Sequence, residues 1–126
     1  MSDRKKVIVI DDDLNVLRFL TVLLEDHGYD TITAKDGVEG LEKTQAERPD
    51  LILLDITMPE KSGVRYYRDV REDSELKSIP VVMVTGVPAE FERFISTRRQ
   101  VPPPDGYFSK PVNKEELLEA VAKLLA

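Results

Sequence analysis

The chain has 126 residues, of which 41% are hydrophobic and 33% charged, and this balance is typical of one soluble globular domain with a single hydrophobic core. It contains no cysteine and one histidine, His27, which excludes disulfides, thiolate metal sites and sites with several imidazole ligands. The formal net charge of −6 argues against direct nucleic-acid binding, because neutralising phosphates requires clustered Lys and Arg.

The amino terminus is charged and leads directly into a short apolar run, Val7–Ile10, which predicts a buried strand. It lacks the long apolar stretch of a signal peptide, and every apolar run is far shorter than the roughly 20 residues of a membrane span. We therefore expect a cytoplasmic protein with no membrane contact. The next segment, Leu14–His27, has leucines at helical spacing and is followed by Gly28, a residue typical of helix ends.

The rest of the chain continues to alternate between the period of a strand and the period of a helix. Further strands are predicted at Thr31–Ala34, Leu51–Leu54, Val81–Val84 and Tyr107–Ser109. Further helices are predicted at Val38–Arg48, Val64–Arg71 and Ala89–Arg99, and in a last segment in which Asn113 is the cap and Leu117, Leu118, Val121, Leu124 and Leu125 form the buried stripe.

Alternating strands and helices predict an α/β fold in which a five-stranded parallel sheet is covered by helices on both faces, giving three layers. Ligands of such doubly wound sheets bind beyond the carboxyl ends of the strands. We treat residues 1–126 as a single domain.

Polar residues of particular kinds follow four of the predicted strands. The first strand is followed by Asp11, Asp12 and Asp13, and the third by Asp55. The fourth strand is followed by Thr85 and the fifth by Lys110. Because all parallel strands end at the same edge of the sheet, we expect these side chains to lie close together.

Crowded carboxylates need an explanation, since two like charges about 4 Å apart repel by roughly 4 kcal/mol at an effective dielectric constant of about 20. A hard divalent cation that prefers oxygen ligands, such as Mg²⁺, removes that repulsion. The cation would also neutralise an incoming phosphate, with Lys110 as a second positive charge and Thr85 as a hydrogen-bond donor. Asp55 would then be the nucleophile that forms an aspartyl phosphate.

Each residue also has an ordinary structural interpretation. Asp13 is expected to cap the following helix, and Asp11 or Asp12 alone would as readily be a cap or turn residue. Lys110 before a proline would usually be a surface lysine, and His27 suits a helix end. The combination of residues is therefore much more specific than any single member.

Four segments in this order, VIVIDDD, PDLILLDITMPEKSG, IPVVMVTG and GYFSKPV, resemble the receiver domains of two-component response regulators. The resemblance covers nearly the whole chain. It implies a flavodoxin-like fold with strand order 2-1-3-4-5. It also implies that Asp55 is the phosphorylated residue, and that Asp11, Asp12, Asp55 and the backbone carbonyl of Thr57 hold Mg²⁺ or Mn²⁺.

By the same resemblance, Thr85 and Lys110 contact the phosphoryl oxygens, and Thr85 and Tyr107 form the conformational switch. Ordinary packing is the alternative interpretation of Tyr107. The implied partners are a sensor histidine kinase or phosphotransfer protein, which donates the phosphoryl group, and a downstream protein target. The domain would not be a conventional enzyme, because it would catalyse only its own phosphorylation and dephosphorylation. Thr57 and Val87 flank the predicted site and are candidates for controlling the lifetime of the phosphoryl group.

One region departs from the pattern of the family. The stretch from Thr85 to Lys110 is a few residues longer than usual and contains three consecutive prolines, Pro102–Pro104. Consecutive prolines cannot lie inside a helix. We therefore expect the helix predicted at Ala89–Arg99 to be shortened or displaced, with a changed signalling surface.

Two other functions remain open at this level. Haloacid-dehalogenase-like phosphatases also form an aspartyl phosphate and place two aspartates one residue apart after the first strand, as Asp11 and Asp13 are. The residues that follow, Leu14 and Asn15, fit that pattern poorly, and no late acidic pair is present. The second alternative is a receiver fold that acts as an interaction module without phosphorylation.

Overall fold

The predicted elements can be compared with a computed structural model of the chain, which describes residues 4–55, 62–85 and 104–126. The five predicted strands are all present. They are β1 (Lys6–Ile10), β2 (Asp30–Ala34), β3 (Leu51–Asp55), β4 (Val81–Thr85) and β5 (Gly106–Ser109).

Four helices connect or follow these strands in the described part of the chain. They are α1 (Leu14–Asp26), α2 (Gly37–Glu47), α3 (Ser62–Glu72) and α4 (Lys114–Leu124). The helix predicted at Ala89–Arg99, and the Pro102–Pro103 part of the proline run, lie outside the described residues.

All strand pairs are parallel, and the order of strands in the sheet is β2-β1-β3-β4-β5. This confirms the predicted fold class and the 2-1-3-4-5 order. The central strands β1, β3 and β4 are almost fully buried, because helices cover both faces of the sheet, and this explains why their sequences read as continuous apolar runs.

The strands divide their side chains between two cores. On one face, Val7 and Val9 of β1 and Leu51 and Leu53 of β3 pack against the leucines of α1 and against α4. The residues between them in sequence pack against α3 on the opposite face, with Leu41 of α2 beside them. The three-layer arrangement follows directly from this period of two.

Helix boundaries differ by one or two residues from the sequence prediction. The prediction that α1 includes His27 is wrong, since His27 has left the helical conformation as the C-cap and Gly28 follows with φ of +90°. Helix α2 begins one residue early, because Asp36 caps it by accepting the N–H of Glu39. The predicted caps Asp13 and Asn113 are both confirmed.

No helix in the described ranges is both long and apolar enough to cross a membrane. This is consistent with the short apolar runs noted in the sequence.

Helix α2 lies unusually close to β1 and α3 at Gly40. A Cβ atom built on Gly40 would lie 2.8 Å from Cδ1 of Ile10 and 3.4 Å from Cε1 of Tyr66. The same turn contains a buried chain of hydroxyl groups, since Thr44 donates to the Gly40 carbonyl at 2.7 Å and lies 2.7 Å from the hydroxyl of Tyr66. Glycine at this position therefore sets the distance between α2 and the strand that leads to Asp11.

We expect Gly40→Ala to lower the free energy of unfolding by about 1 kcal/mol, measured by urea denaturation. Overpacking a tight core costs about 1–3 kcal/mol, whereas the better helix propensity of alanine returns at most about 1 kcal/mol. Ile10→Val removes the nearest atom, so Gly40→Ala should become neutral or stabilising in that background. Stabilisation by Gly40→Ala in the parent protein would contradict this account.

Candidate functional site

The alternation of side chains along the strands brings three of the predicted site residues to one side of the sheet. Asp11 continues the series of Val7 and Val9, and Asp55 continues the series of Leu51 and Leu53. Lys110 is in phase with Phe108, which packs on the same face. Because the strands are parallel, these three residues also lie at the same edge, beside the start of α1.

Lys110 contacts both buried carboxylates at this edge. Its ammonium nitrogen lies 3.1 Å from Oδ2 of Asp11 and 3.4 Å from Oδ2 of Asp55. The side chains of both aspartates are only 2% exposed, and that of Lys110 is 25% exposed. Such shielding makes ion pairs stronger than they would be at an open surface. The interpretation of Lys110 as an ordinary surface lysine is therefore wrong.

The three consecutive aspartates after β1 have different environments. Asp12 is exposed, and one of its carboxylate oxygens lies with oxygens of Asp11 and Asp55 inside a cluster whose atoms are all within 4.8 Å of one another. We call Asp11, Asp12 and Asp55 the acidic cluster. Asp13 instead caps α1, since its Oδ1 accepts the N–H of Asn15 at 2.8 Å.

Backbone hydrogen bonds hold Asp11 in place. Its N–H donates to the carbonyl of Ala34 at the end of β2, and its Oδ1 accepts the N–H of Asp13 at 2.9 Å. The Asp11–Asp13 pair that suggested a dehalogenase-like phosphatase is thus divided between a buried acid and a helix cap. This arrangement weighs against that alternative.

Electrostatic effects at the cluster act in opposite directions. Burial raises the pKa of Asp11 from 3.8 to about 6, and the charge of Asp55 adds to this increase, while hydrogen bonds from Asp13 and Lys110 oppose it. For Lys110, burial works against the charged form, but the hydrogen bond to Asp11 and the charge of Asp55 outweigh it and raise the pKa. Lys110 therefore remains a firmly protonated cation beside a carboxyl group that resists ionisation.

The other predicted site residues are described only in part. Thr85 is the last residue of β4 and pairs with Ser109 of β5, and its side chain lies outside the described part. Thr57 and Val87 fall wholly outside the described residues. Tyr107 is half-buried against the core on the α3 side, and its hydroxyl accepts a hydrogen bond from Ser109 at 3.3 Å.

Sequence reasoning missed one ion pair in which the arginine is buried and the aspartate is exposed. Arg71 at the end of α3 contacts Asp105, just before β5, with 2.9 Å between the guanidinium and the carboxylate. These residues are far apart in sequence, so no local periodicity points to their pairing. The available signal is the dipeptide Pro104-Asp105 before a strand, which repeats the Pro49-Asp50 pattern before β3.

The geometry agrees with comparisons to known proteins. The sequence profile of the response regulator receiver domain matches residues 7–122. PilH of Pseudomonas aeruginosa is 32% identical over 96% of this chain and 98% of its own length. The alkaline phosphatase synthesis transcriptional regulatory protein PhoP of Bacillus subtilis is 34% identical over 96% of this chain. The chain spans about half of the length of PhoP, namely 48%.

Solved structures give the same answer. The chemotaxis protein CheY4 of Vibrio cholerae superposes with a TM-score of 0.84 at 32% identity, covering 97% of this chain and 99% of CheY4. A CheY-like response regulator receiver domain protein from Methanospirillum hungatei superposes with a TM-score of 0.84 at 30% identity, covering 98% and 94% of the two chains. The chain therefore belongs to the response regulator receiver domain family of two-component signalling.

Proposed function

We propose that this chain is a phospho-accepting signalling switch in which Asp55 receives a phosphoryl group. The observation that carries the proposal is the convergence of two buried carboxylates and one ammonium group, Asp11, Asp55 and Lys110, at the carboxyl edge of the sheet. In this proposal, residues 1–126 form one receiver domain. The catalysis by this domain is limited to the formation and hydrolysis of its own aspartyl phosphate.

The acidic cluster suits a hard divalent cation. Three carboxylate oxygens within 4.8 Å of one another form an all-oxygen donor set, which Mg²⁺ and Mn²⁺ prefer. Asp11, Asp12 and Asp55 would hold the ion, with the backbone carbonyl of Thr57 as a further proposed ligand. When bound, the ion supplies positive charge that offsets the charges of the carboxylates and of the phosphoryl oxygens.

The protein's own residues divide the work of the transfer. An oxygen of Asp55 attacks phosphorus while the bond between phosphorus and the phosphohistidine nitrogen breaks, and the imidazole leaves with that electron pair. Lys110 already lies 3.4 Å from Asp55 and is proposed to pair with a phosphoryl oxygen. Thr85, at the end of β4, is proposed to donate a hydrogen bond to another phosphoryl oxygen. Most of the chemistry is therefore positioning and charge stabilisation.

The donor in this proposal is a sensor histidine kinase or a phosphotransfer protein. The recipient of the signal is a downstream protein that binds the surface around Thr85 and Tyr107 once the phosphoryl group is present. Tyr107 supports this choice, because it lies on the strand that leads to Lys110 but packs on the opposite face of the sheet. A displacement of Lys110 or Thr85 would therefore be transmitted through β5 to the opposite face of the sheet.

The direct test is intact mass after incubation with acetyl phosphate, with and without Mg²⁺. We expect the parent protein to gain one phosphoryl group only with the metal, and Asp55→Asn to gain none, because the amide nitrogen and oxygen replace the attacking carboxylate. Acetyl phosphate contains the same activated phosphoryl group without a partner protein. Absence of any gain in a folded sample, also with a histidine kinase as donor, would favour a phosphorylation-independent interaction module.

Metal binding is tested separately by thermal denaturation. At a Mg²⁺ concentration of about 100 times its dissociation constant, we expect the parent protein to be stabilised by about 2–3 kcal/mol. Asp12→Asn should abolish most of this effect. Asp13→Ser is the matched control, because serine keeps the helix cap while removing the neighbouring charge, and its stabilisation by Mg²⁺ should persist. Equal effects of Mg²⁺ on both variants would contradict the assignment of Asp12.

The pKa of Asp11 predicts a pH dependence of stability in the metal-free protein. Because the pKa is raised from 3.8 to about 6 on folding, the folded state holds a proton that the unfolded state has lost between these values. The stability from this group is full below about pH 4 and is lost as the pH rises through about 6. Asp11→Asn does not titrate and should gain up to about 3 kcal/mol over the parent between pH 4 and 7, measured by urea denaturation. Parallel curves for the two proteins would contradict the prediction.

A further inference from the structure

Two strands begin with the same hydrogen-bonded arrangement, at the edge of the sheet opposite to the acidic cluster. The N–H of Asp105 donates to the carbonyl of Val81 at 2.8 Å, and the Asp105 carboxylate accepts the N–H of Val81 at 2.8 Å. Asp50 makes the same pair of hydrogen bonds with Lys6, at 2.7 and 2.8 Å. Each aspartate thus adds one step to the ladder, and each precedes a strand that leads to a residue of the site.

Asp105 differs from Asp50 because a buried arginine holds its carboxylate. The guanidinium of Arg71 donates to Oδ2 of Asp105 at 2.9 Å, to the carbonyls of Lys77 and Ile79 at 2.9 and 2.8 Å, and to the hydroxyl of Tyr67 at 3.2 Å. The side chain of Arg71 is only 7% exposed. We call Arg71 and Asp105 the β5 clamp. It ties the start of β5 to α3 and to the turn that leads into β4.

The β5 clamp favours the observed register of β5 over shifted registers. Strand β5 has four residues and, among the described strands, pairs only with β4, so few ladder hydrogen bonds define its position. A shift by one residue would place Pro104 or Gly106 opposite Val81. Proline has no N–H to donate and glycine has no side chain to accept, so neither can replace Asp105.

The hydrophobic cores resist some of these shifts but not all. Tyr107 and Phe108 pack on opposite faces of the sheet, and a shift by one residue would exchange their faces. A shift by two residues keeps every side chain on its face. The β5 clamp acts against a shift by two residues as well, because its contacts require Asp105 itself and do not depend on which face a side chain occupies.

The register of β5 determines where Lys110 lies. A shift by one residue moves the strand by about 3.3 Å, which is as long as a hydrogen bond. The contacts of Lys110 with Asp11 and Asp55, at 3.1 and 3.4 Å, would not survive such a movement. We propose that Arg71 and Asp105 are positioning residues for the phosphoryl transfer: they fix the register of β5 and thereby hold the Lys110 ammonium between the two carboxylates. The part of this inference that concerns transfer rests on the proposed function.

The register itself is tested by NMR, which requires no phosphorylation. We expect Asp105→Ala to lose or shift the amide contacts between β4 and β5 that correspond to the pairs Val82–Gly106 and Thr85–Ser109. Asp50→Ala is the matched control, since it removes the equivalent carboxylate acceptor, that of the Lys6 N–H, and leaves the backbone hydrogen bond of residue 50 in place. Strand β3 has partners on both sides and should keep its register despite lower stability. Unchanged contacts between β4 and β5 in Asp105→Ala would overturn the proposal.

The action through Lys110 is tested by the rate of phosphorylation with acetyl phosphate and Mg²⁺. We expect Asp105→Ala to slow the reaction about tenfold, as for loss of one charged hydrogen-bonding group, and Asp50→Ala to react at the parent rate. In a Lys110→Met background, Asp105→Ala should cause no further loss, because both substitutions remove the same contact. A purely structural role would give additive losses, and that result would overturn the positioning role.

Arg71→Lys provides a milder variant if Asp105→Ala does not fold. Lysine keeps the positive charge but cannot donate to all four acceptors at once, so we expect an intermediate loss of β4–β5 contacts and of rate. Values equal to those of the parent protein in both measurements would overturn the proposal. If the parent protein gains no phosphoryl group from any donor, the proposed function fails while the NMR measurement still decides whether the clamp sets the register.

Discussion

The register of the parallel sheet is the constraint on which the contacts of Lys110 with Asp11 and Asp55 depend. Asp11, Asp55 and Lys110 belong to three different strands or their ends, and no two of them are neighbours in sequence. They meet because their strands run in the same direction and because each lies in phase with the side chains that face α1 and α4. The cluster is therefore a product of backbone pairing over the whole sheet, and each ladder hydrogen bond contributes to its geometry.

Burial makes the charged forms of the carboxylates at this end of the sheet unfavourable. Two carboxylates that are 2% exposed lie at adjacent strand ends, and the raised pKa of Asp11 expresses mainly the loss of water on burial and, after it, the repulsion from Asp55. Lys110 compensates for part of the charge. One ammonium group does not balance two carboxylates, and the folded core supplies the energy that keeps these groups together.

Much of this arrangement could be predicted from sequence because the signals are local. Apolar runs identified the strands, and the polar residue at the end of each run identified the edge where Asp55 and Lys110 meet. The burial of Asp11 and the exposure of Asp12 could not be predicted, because β1 is buried on both faces and its alternation gives no reason to bury one aspartate rather than the other. Helix ends shifted by a residue where caps such as Asp36 competed with periodicity. The contact between Arg71 and Asp105 joins distant segments and has no periodic signature at all.

The β5 clamp also has a consequence for the length of the chain that precedes it. Asp105 is anchored to α3 and β4, and these contacts themselves place no requirement on how many residues connect Thr85 to Asp105. Lengthening a flexible connection costs little, only about 0.6 kcal/mol for each doubling. Insertions before Asp105 are therefore compatible with an unchanged position of Lys110 beside Asp11 and Asp55.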